Sequence, residues 1–297
     1  MISRRTALLA AAGLPLFAQQ PANAAQLGAA SRAFMTSDGV RLHYLETRPV
    51  SGAGAEHVLV LIPGWTMPAW IFSPQLLYFG QYCRVIALDP RGQGDSEIPA
   101  TGYTAARRGQ DIAELLNAIG APKVVLGGWS LGVLDSLAYV GTDGSQRLSA
   151  LVLVDNSIGE SPPPRPETVP HRRHGRAPVP YPVMMRSFVR GMFRSPQSPA
   201  YLDRLTATCL ITPEPASRAL LNYRVPRSYW RQAVYAAGVP ILYCVRPGLA
   251  GQAGNLARND PQAVSVIFPN AGHALFIDQA TRFNTVLANF LSQRVWA

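Results

Sequence analysis

Ser130 stands in Gly128-Trp129-Ser130-Leu131-Gly132, directly after the apolar run Lys123-Val124-Val125-Leu126 and directly before a helical pattern. The five-residue pattern alone carries little information, but its strand–turn–helix setting carries more. A sharp turn needs glycines where backbones approach closely, and it lifts the serine hydroxyl clear of the sheet. The helix that follows points its N-terminus at the hydroxyl and favours negative charge developing there. The plainer role for such a serine is to cap a helix. A serine hydroxyl is a weak nucleophile until a base takes its proton. Of the five histidines, His43 and His57 lie in early strands, and His171 and His174 lie in an arginine-rich stretch. His273 stands in Asn270-Ala271-Gly272-His273-Ala274, just after the last expected strand. Loops at the carboxyl ends of such strands gather around the ligand crevice.

Stepping outward, short apolar runs bounded by Gly, Pro and Asp occur at His57–Ile62, Cys83–Leu88, Lys123–Leu126, Ala150–Val154, Val239–Val245 and Val264–Phe268. Helical patterns occur at Ala105–Ile119, Leu131–Val140 and Thr281–Leu291, and Ile112, Leu115, Leu116 and Ile119 share one face of the first. Buried strands alternating with helices predict an α/β fold: a mostly parallel sheet covered on both faces. Asp38-Gly39 followed by the alternating Val40-Arg41-Leu42-His43-Tyr44-Leu45 predicts an antiparallel hairpin at the sheet edge.

Four segments together resemble the α/β-hydrolase family: Leu61-Ile62-Pro63-Gly64-Trp65, Leu88-Asp89-Pro90-Arg91-Gly92-Gln93-Gly94-Asp95-Ser96, Gly128-Trp129-Ser130-Leu131-Gly132 and Gly272-His273. The resemblance implies Ser130 as nucleophile, His273 as general base, and an oxyanion hole from the backbone N–H groups of Trp65 and Leu131. It gives Asp89, Arg91 and Ser96 a structural role. Many members carry His where this chain has Pro63, but the hole uses backbone donors. The larger departure concerns the triad acid, which most members place after the strand matched here by Ile241–Val245. That connection reads Arg246-Pro247-Gly248-Leu249-Ala250-Gly251-Gln252, without a carboxylate, and Leu249 occupies the expected place. Some members place the acid one strand earlier, and Asp155 ends Leu151-Val152-Leu153-Val154. Asp155 is therefore the first candidate. Asp260 and Asp278 remain as others, with Asp278 also suited to capping a helix near Thr281. A Ser–His dyad is the remaining option.

The leading functional expectation is a serine hydrolase for an ester, lactone or related acyl compound. Serine rather than aspartate at the turn argues against dehalogenase and epoxide-hydrolase chemistry, while perhydrolase or haloperoxidase-like activity uses the same three groups. A non-catalytic binding protein of the same fold is the competing class. Trp129, Trp70, Phe72, Tyr229 and Trp230 are candidates for an apolar pocket, though Trp70 and Phe72 also suit the core. No cofactor is expected, because Gly92-Gln93-Gly94 lacks the rest of a dinucleotide fingerprint. No metal is expected, because no His/Cys/Asp group has ligand spacing.

The chain has 297 residues and 27 basic against 17 acidic side chains, a formal charge of +10. Its core can be large, and 48% hydrophobic residues exclude a disordered chain. Residues 1–24 resemble a secretory signal: Arg4-Arg5, a short apolar core through Leu8-Leu9, and a small-residue cleavage site ending at Ala24. The paired arginines point to the twin-arginine route and an exported, periplasmic or secreted protein. About 12 apolar residues are too few to cross a bilayer that needs about 20. After cleavage no integral membrane segment is expected. An oxidising compartment permits disulfides, yet Cys83 and Cys244 sit in apolar runs that read as buried strands, with Cys209 as the remaining thiol.

Residues 25–155 and 237–297 read as the core, and 156–236 as a cap or lid insertion holding 13 of the 26 prolines. This insertion carries 12 Arg against 4 Asp and Glu, net +8, whereas the core segments balance at 13 of each sign. A basic chain invites a nucleic-acid reading, but export and the confinement of the charge exclude nucleic acid as the expected partner. A small acyl substrate takes its place.

Overall fold

The computed structural model describes residues 27–52, 54–163, 179–222 and 224–296. Residues 1–24, on which the expectation of a signal rests, and His171 and His174 therefore lie outside the described residues. The chain runs β1 (Ala30–Met35), β2 (Arg41–Thr47), β3 (Val58–Ile62), α1 (Ser73–Phe79), β4 (Arg84–Asp89), α2 (Ala105–Ile119), β5 (Val124–Trp129), α3 (Leu131–Asp143) and β6 (Leu148–Val154). Four helices follow: α4 (Tyr181–Gly191), α5 (Pro199–Cys209), α6 (Glu214–Leu220) and α7 (Arg227–Ala236). The alternation then resumes with β7 (Ile241–Val245), α8 (Ala250–Asn259), β8 (Ala263–Ile267), α9 (Leu275–Asp278) and α10 (Ala280–Arg294).

The fold is that of an α/β-hydrolase. One eight-stranded sheet has the order β1-β2-β4-β3-β5-β6-β7-β8. The pairs β1–β2 and β2–β4 are antiparallel, and every later pair is parallel. The edge hairpin expected from Asp38-Gly39 is thus present, with Gly39 at φ 78° in its turn. Central strands β3 and β5 are buried along their whole length, as strands covered by helices on both faces must be. Two apolar layers flank the sheet. One gathers Leu59, Leu61, Val125, Val152, Phe276 and Leu287, and the other Val60, Ile62, Leu126, Leu151, Leu115 and Leu137.

Helix α2 keeps the bounds its periodicity predicts, because Thr104 accepts a hydrogen bond from the Arg107 N–H at one end and Gly120 closes the other at φ 65°. Helices α1 and α8 form where the sequence shows no helical periodicity. Each is short and begins beside proline or glycine, where an apolar stripe has little length to declare itself.

Several arginines are structural and say little about partners. Arg91 is fully buried, with two 2.6 Å contacts to Asp111 and contacts of 3.0 and 3.2 Å to Asp38. Arg108 pairs with Asp135 at 2.8 Å between α2 and α3, and it donates to the Leu220 carbonyl of α6. All three cysteines are buried and unpaired. No helix among the described residues is long and apolar enough to cross a membrane.

Candidate active site

Strand β5 ends at Trp129, and α3 begins at Leu131, which leaves Ser130 alone to make the turn. Its backbone sits at φ 54°, ψ −118°, a region an L-residue enters only when its surroundings impose it. They do so here by hydrogen bonds. The Ser130 N–H donates to Val154 O (2.9 Å), and its carbonyl accepts from Asn156 Nδ2 (2.7 Å) and from the Val133 N–H (3.0 Å). The flanking glycines are required by space. A Cβ on Gly128 would lie 2.2 Å from Gly132 O, and one on Gly132 would lie 2.2 Å from Ile62 O. Both obstacles are backbone, so no side-chain movement relieves them.

The hydroxyl meets its partners across the sheet. Ser130 Oγ lies 2.8 Å from His273 Nε2, and His273 Nδ1 lies 2.7 Å from Asp155 Oδ2. Asp155 follows β6, is 3% exposed, and adopts φ 49°. Burial pushes its carboxyl up, but the hydrogen bond to His273 and the nearby charges of His273 and Arg246 outweigh this and hold it below the ordinary carboxylate range. The carboxylate is thus the ionised acceptor, and the Nδ1 proton of His273 is directed at it. This leaves Nε2 to accept from Ser130.

Both oxyanion-hole candidates adjoin elements that touch Ser130. Leu131 heads α3, where the first turn of a helix has no intrahelical acceptor. Gly64, just before Trp65, approaches so closely that a Cβ there would lie 3.0 Å from Ser130 Cβ and 3.4 Å from its Oγ. In that loop the Met67 N–H donates to Gly64 O, and the Thr66 N–H is taken by Gln93 Oε1. Asp89 braces the loop from behind by accepting from the Ala69 N–H (2.5 Å).

The remaining candidates divide. Asp260 accepts only a local bond from the Gln262 N–H. Asp278 does not reach His273, nor does its side chain cap α10. Its carboxylate instead takes three backbone N–H groups, of Gly272 (2.6 Å), Arg194 (2.8 Å) and Ser195 (3.1 Å), and so ties the base loop to the segment after α4. Leu249 lies in a helical turn and bears no part of this network.

Two pocket expectations need correction. Trp129 is 1% exposed; its indole N–H donates to His273 O (2.9 Å), so it supports the base loop from inside the core rather than facing a substrate. Tyr229 packs at Gly141, where a Cβ would lie 2.4 Å from its hydroxyl. Gly141 is in the far half of α3, about 16 Å along the helix from Ser130 at 1.5 Å per residue. Trp230 packs edge-to-face against Tyr229 and shares that place. Phe72 belongs to the core, against Phe276. Trp70 and Trp65 are half-buried and face the helices between β6 and β7, Trp70 against Tyr201 of α5 and Trp65 against Phe188 of α4.

Sequence reasoning missed Arg246, which donates to Asp155 from its backbone N–H (2.9 Å) and from Nε (2.5 Å). It also missed Asn156, which holds the Ser130 carbonyl. Asn156 directly follows the acid and was open to notice; Arg246 became visible only when β6 and β7 were paired. Among the described residues, His43, Asp89 and Asp95 form a close group of possible metal ligands. Two of the three are engaged: His43 bridges Asp89 (2.6 Å) and the Ser31 hydroxyl (2.8 Å), and the Asp89 carboxylate also accepts from the Asp95 backbone N–H.

Residues 59–286 match the model of the alpha/beta hydrolase family. A soluble epoxide hydrolase from Corynebacterium sp. is 33% identical over 123 residues, 41% of either chain. A non-heme chloroperoxidase from Streptomyces lividans is 33% identical over 120 residues, 40% of this chain and 42% of its own. The chain thus matches about two fifths of the length of these curated relatives. In structure it resembles an esterase from Rhodococcus sp. with a TM-score of 0.73, covering 89% of this chain and 99% of that one, at 23% identity.

Proposed function

The chain belongs to the alpha/beta hydrolase family, and from that premise we propose that it is a serine hydrolase cleaving an ester, lactone or related acyl bond. The observation that carries this reading is the unbroken relay Ser130–His273–Asp155, with bonds of 2.8 and 2.7 Å, at the head of a helix. Ser130 Oγ attacks the acyl carbon while His273 Nε2 takes its proton. The oxyanion is held by the N–H groups of Leu131 and Trp65. His273 then protonates the leaving group, and an acyl-enzyme remains. Water, deprotonated by His273, releases the acid and restores Ser130. Asp155 keeps the proton on Nδ1 and stabilises the imidazolium in both halves.

The position of Asp155 also weakens the case for a non-catalytic binding protein, which rested on the lack of a carboxylate after β7. A serine at the turn disfavours the carboxylate-nucleophile chemistry of epoxide opening. A peroxide attacking the same acyl-enzyme would give a peracid, a reading to which the chloroperoxidase relative lends support. The described helices between β6 and β7 then serve as a cap over the site, since Phe188 touches Trp65 and Tyr201 touches Trp70. Hydrolysis of esters of graded acyl length reads that role: rates indifferent to length would contradict it. Export rests on residues 1–24 alone, and a reporter fused to them that stays inside the cell would refute it.

A fluorophosphonate probe tests the central reading. We expect one covalent adduct per chain, mapped to Ser130 by peptide mass spectrometry, and none in the Ser130→Ala variant. Folded protein that stays unlabelled would overturn the proposal.

A further inference from the structure

Asp155 has a second partner that no step of the hydrolysis uses. Arg246 opens the connection after β7, and it grips the carboxylate that orients the base. Its backbone N–H meets Oδ1 at 2.9 Å, and its Nε meets Oδ2 at 2.5 Å, the same oxygen that faces His273. Nη2 lies 3.5 Å from His273 Nδ1. The guanidinium is 38% exposed while the carboxylate it holds is fully buried, so the cation sits at the rim, between that carboxylate and solvent.

We propose that Arg246 is a positioning residue that sets the working pH of the site, by sharing the Asp155 carboxylate with His273 and placing a permanent positive charge beside the ring that must become an imidazolium. The inference rests on the reading of Ser130 and His273 as nucleophile and base.

The physical argument has two parts. A carboxylate facing imidazole alone favours the imidazolium and raises the pH below which the base is occupied by a proton. A fixed cation against both partners opposes this and favours the uncharged ring that accepts from Ser130. Arginine suits the task because it remains charged across the working range and presents donors in a rigid fork.

Other groups around the pair do not substitute for it. Trp129 contributes only an indole N–H to the His273 carbonyl. The Tyr243 phenol, beneath Asp155, is pushed upward by burial and by that carboxylate, and it donates to Asn156 O. Arg227 is directed at Glu160 O, and Asp278 is engaged by the N–H groups of Gly272, Arg194 and Ser195. Among the described residues, Asp155 and Arg246 are the charged groups within hydrogen-bonding reach of His273. Arg246 has positional work too: Asp155 stands at φ 49°, and two donors from one residue hold that left-handed conformation in register with β7.

The experiment measures the rate of fluorophosphonate labelling of Ser130 against pH for the intact wild-type chain, Arg246→Gln and Arg246→Lys. Glutamine removes the charge and keeps a donor, and lysine keeps the charge. We expect the midpoint of the acid limb to rise by about one pH unit in Arg246→Gln and to stay within a few tenths of wild type in Arg246→Lys. Should Arg246→Gln fail to fold, Arg246→Met is the second uncharged variant. A rate loss equal at every pH, with an unmoved midpoint, would mean a purely structural role and would overturn the inference. An equal shift in both variants would overturn it as well. Absence of labelling in wild type would instead remove the hydrolase reading on which the inference rests.

Discussion

Replacing Asp155 by Asn should cost about three decades in kcat while leaving the chain folded. The substitution preserves shape, and the amide oxygen can still accept the Arg246 N–H that Oδ1 accepts at 2.9 Å. At the Oδ2 position, however, an NH2 group would face two donors, Arg246 Nε at 2.5 Å and His273 Nδ1 at 2.7 Å. His273 relieves that clash by moving its proton to Nε2, which then donates toward Ser130 and can no longer accept from it. The electrostatic loss is of similar weight. Charges centred about 4 Å apart at an effective dielectric near 20 attract by about 4 kcal/mol, which is roughly a thousandfold at 1.36 kcal/mol per decade. The assay is steady-state hydrolysis of a p-nitrophenyl ester, alongside thermal melting of both proteins. Turnover within about tenfold of wild type, from a variant of unchanged melting temperature, would show that another group orients His273.

Two further predictions concern the scaffold. Gly132→Ala puts a methyl group 2.2 Å from the Ile62 carbonyl and forces α3 away from β3; overpacking of this kind costs about 3 kcal/mol, a drop of about 5 °C in melting temperature for a chain of this length. An unchanged melting temperature would refute the steric account of the second glycine. Burial pushes the thiols of Cys83 and Cys209 up to about 12, and Cys244 further in the same direction. Ellman's reagent at mildly alkaline pH should find no reactive thiol in the folded protein and all three after denaturation. Fewer than three on unfolding would mean that a disulfide exists.

The architecture was legible because its causes are local. Buried parallel strands make short apolar runs, α2 carries its core face at the helical period between a capping Thr104 and Gly120, and the turn at Ser130 needs glycine at both flanks. Those features fixed the alternating fold and the places of Ser130 and His273 before any distance was known. The site's other residues depend on which strands become neighbours. Asp155 and His273 are 118 residues apart, and Asp155 and Arg246 are 91 apart. The pairing of β6 with β7 brings Arg246 against Asp155, while the tether from Asp278 to Gly272 steadies the loop that carries His273. Composition misled in one respect and informed in another. Arg91 and Arg108 spend their charge inside the protein, whereas Arg186 and Arg190 lie exposed on α4. Aromatic residues near the motif looked like pocket walls, but a side chain's direction is set by the element bearing it, and Trp129 points into the core while Tyr229 lies at the far half of α3. The amino-acid sequence alone thus determined the fold class and the expectation of Ser130 as nucleophile and His273 as base, because each is written in a contiguous stretch. Only tertiary structure placed Asp155 against His273 and Arg246 and turned each aromatic side chain to its place, because these depend on contacts between segments far apart in the chain.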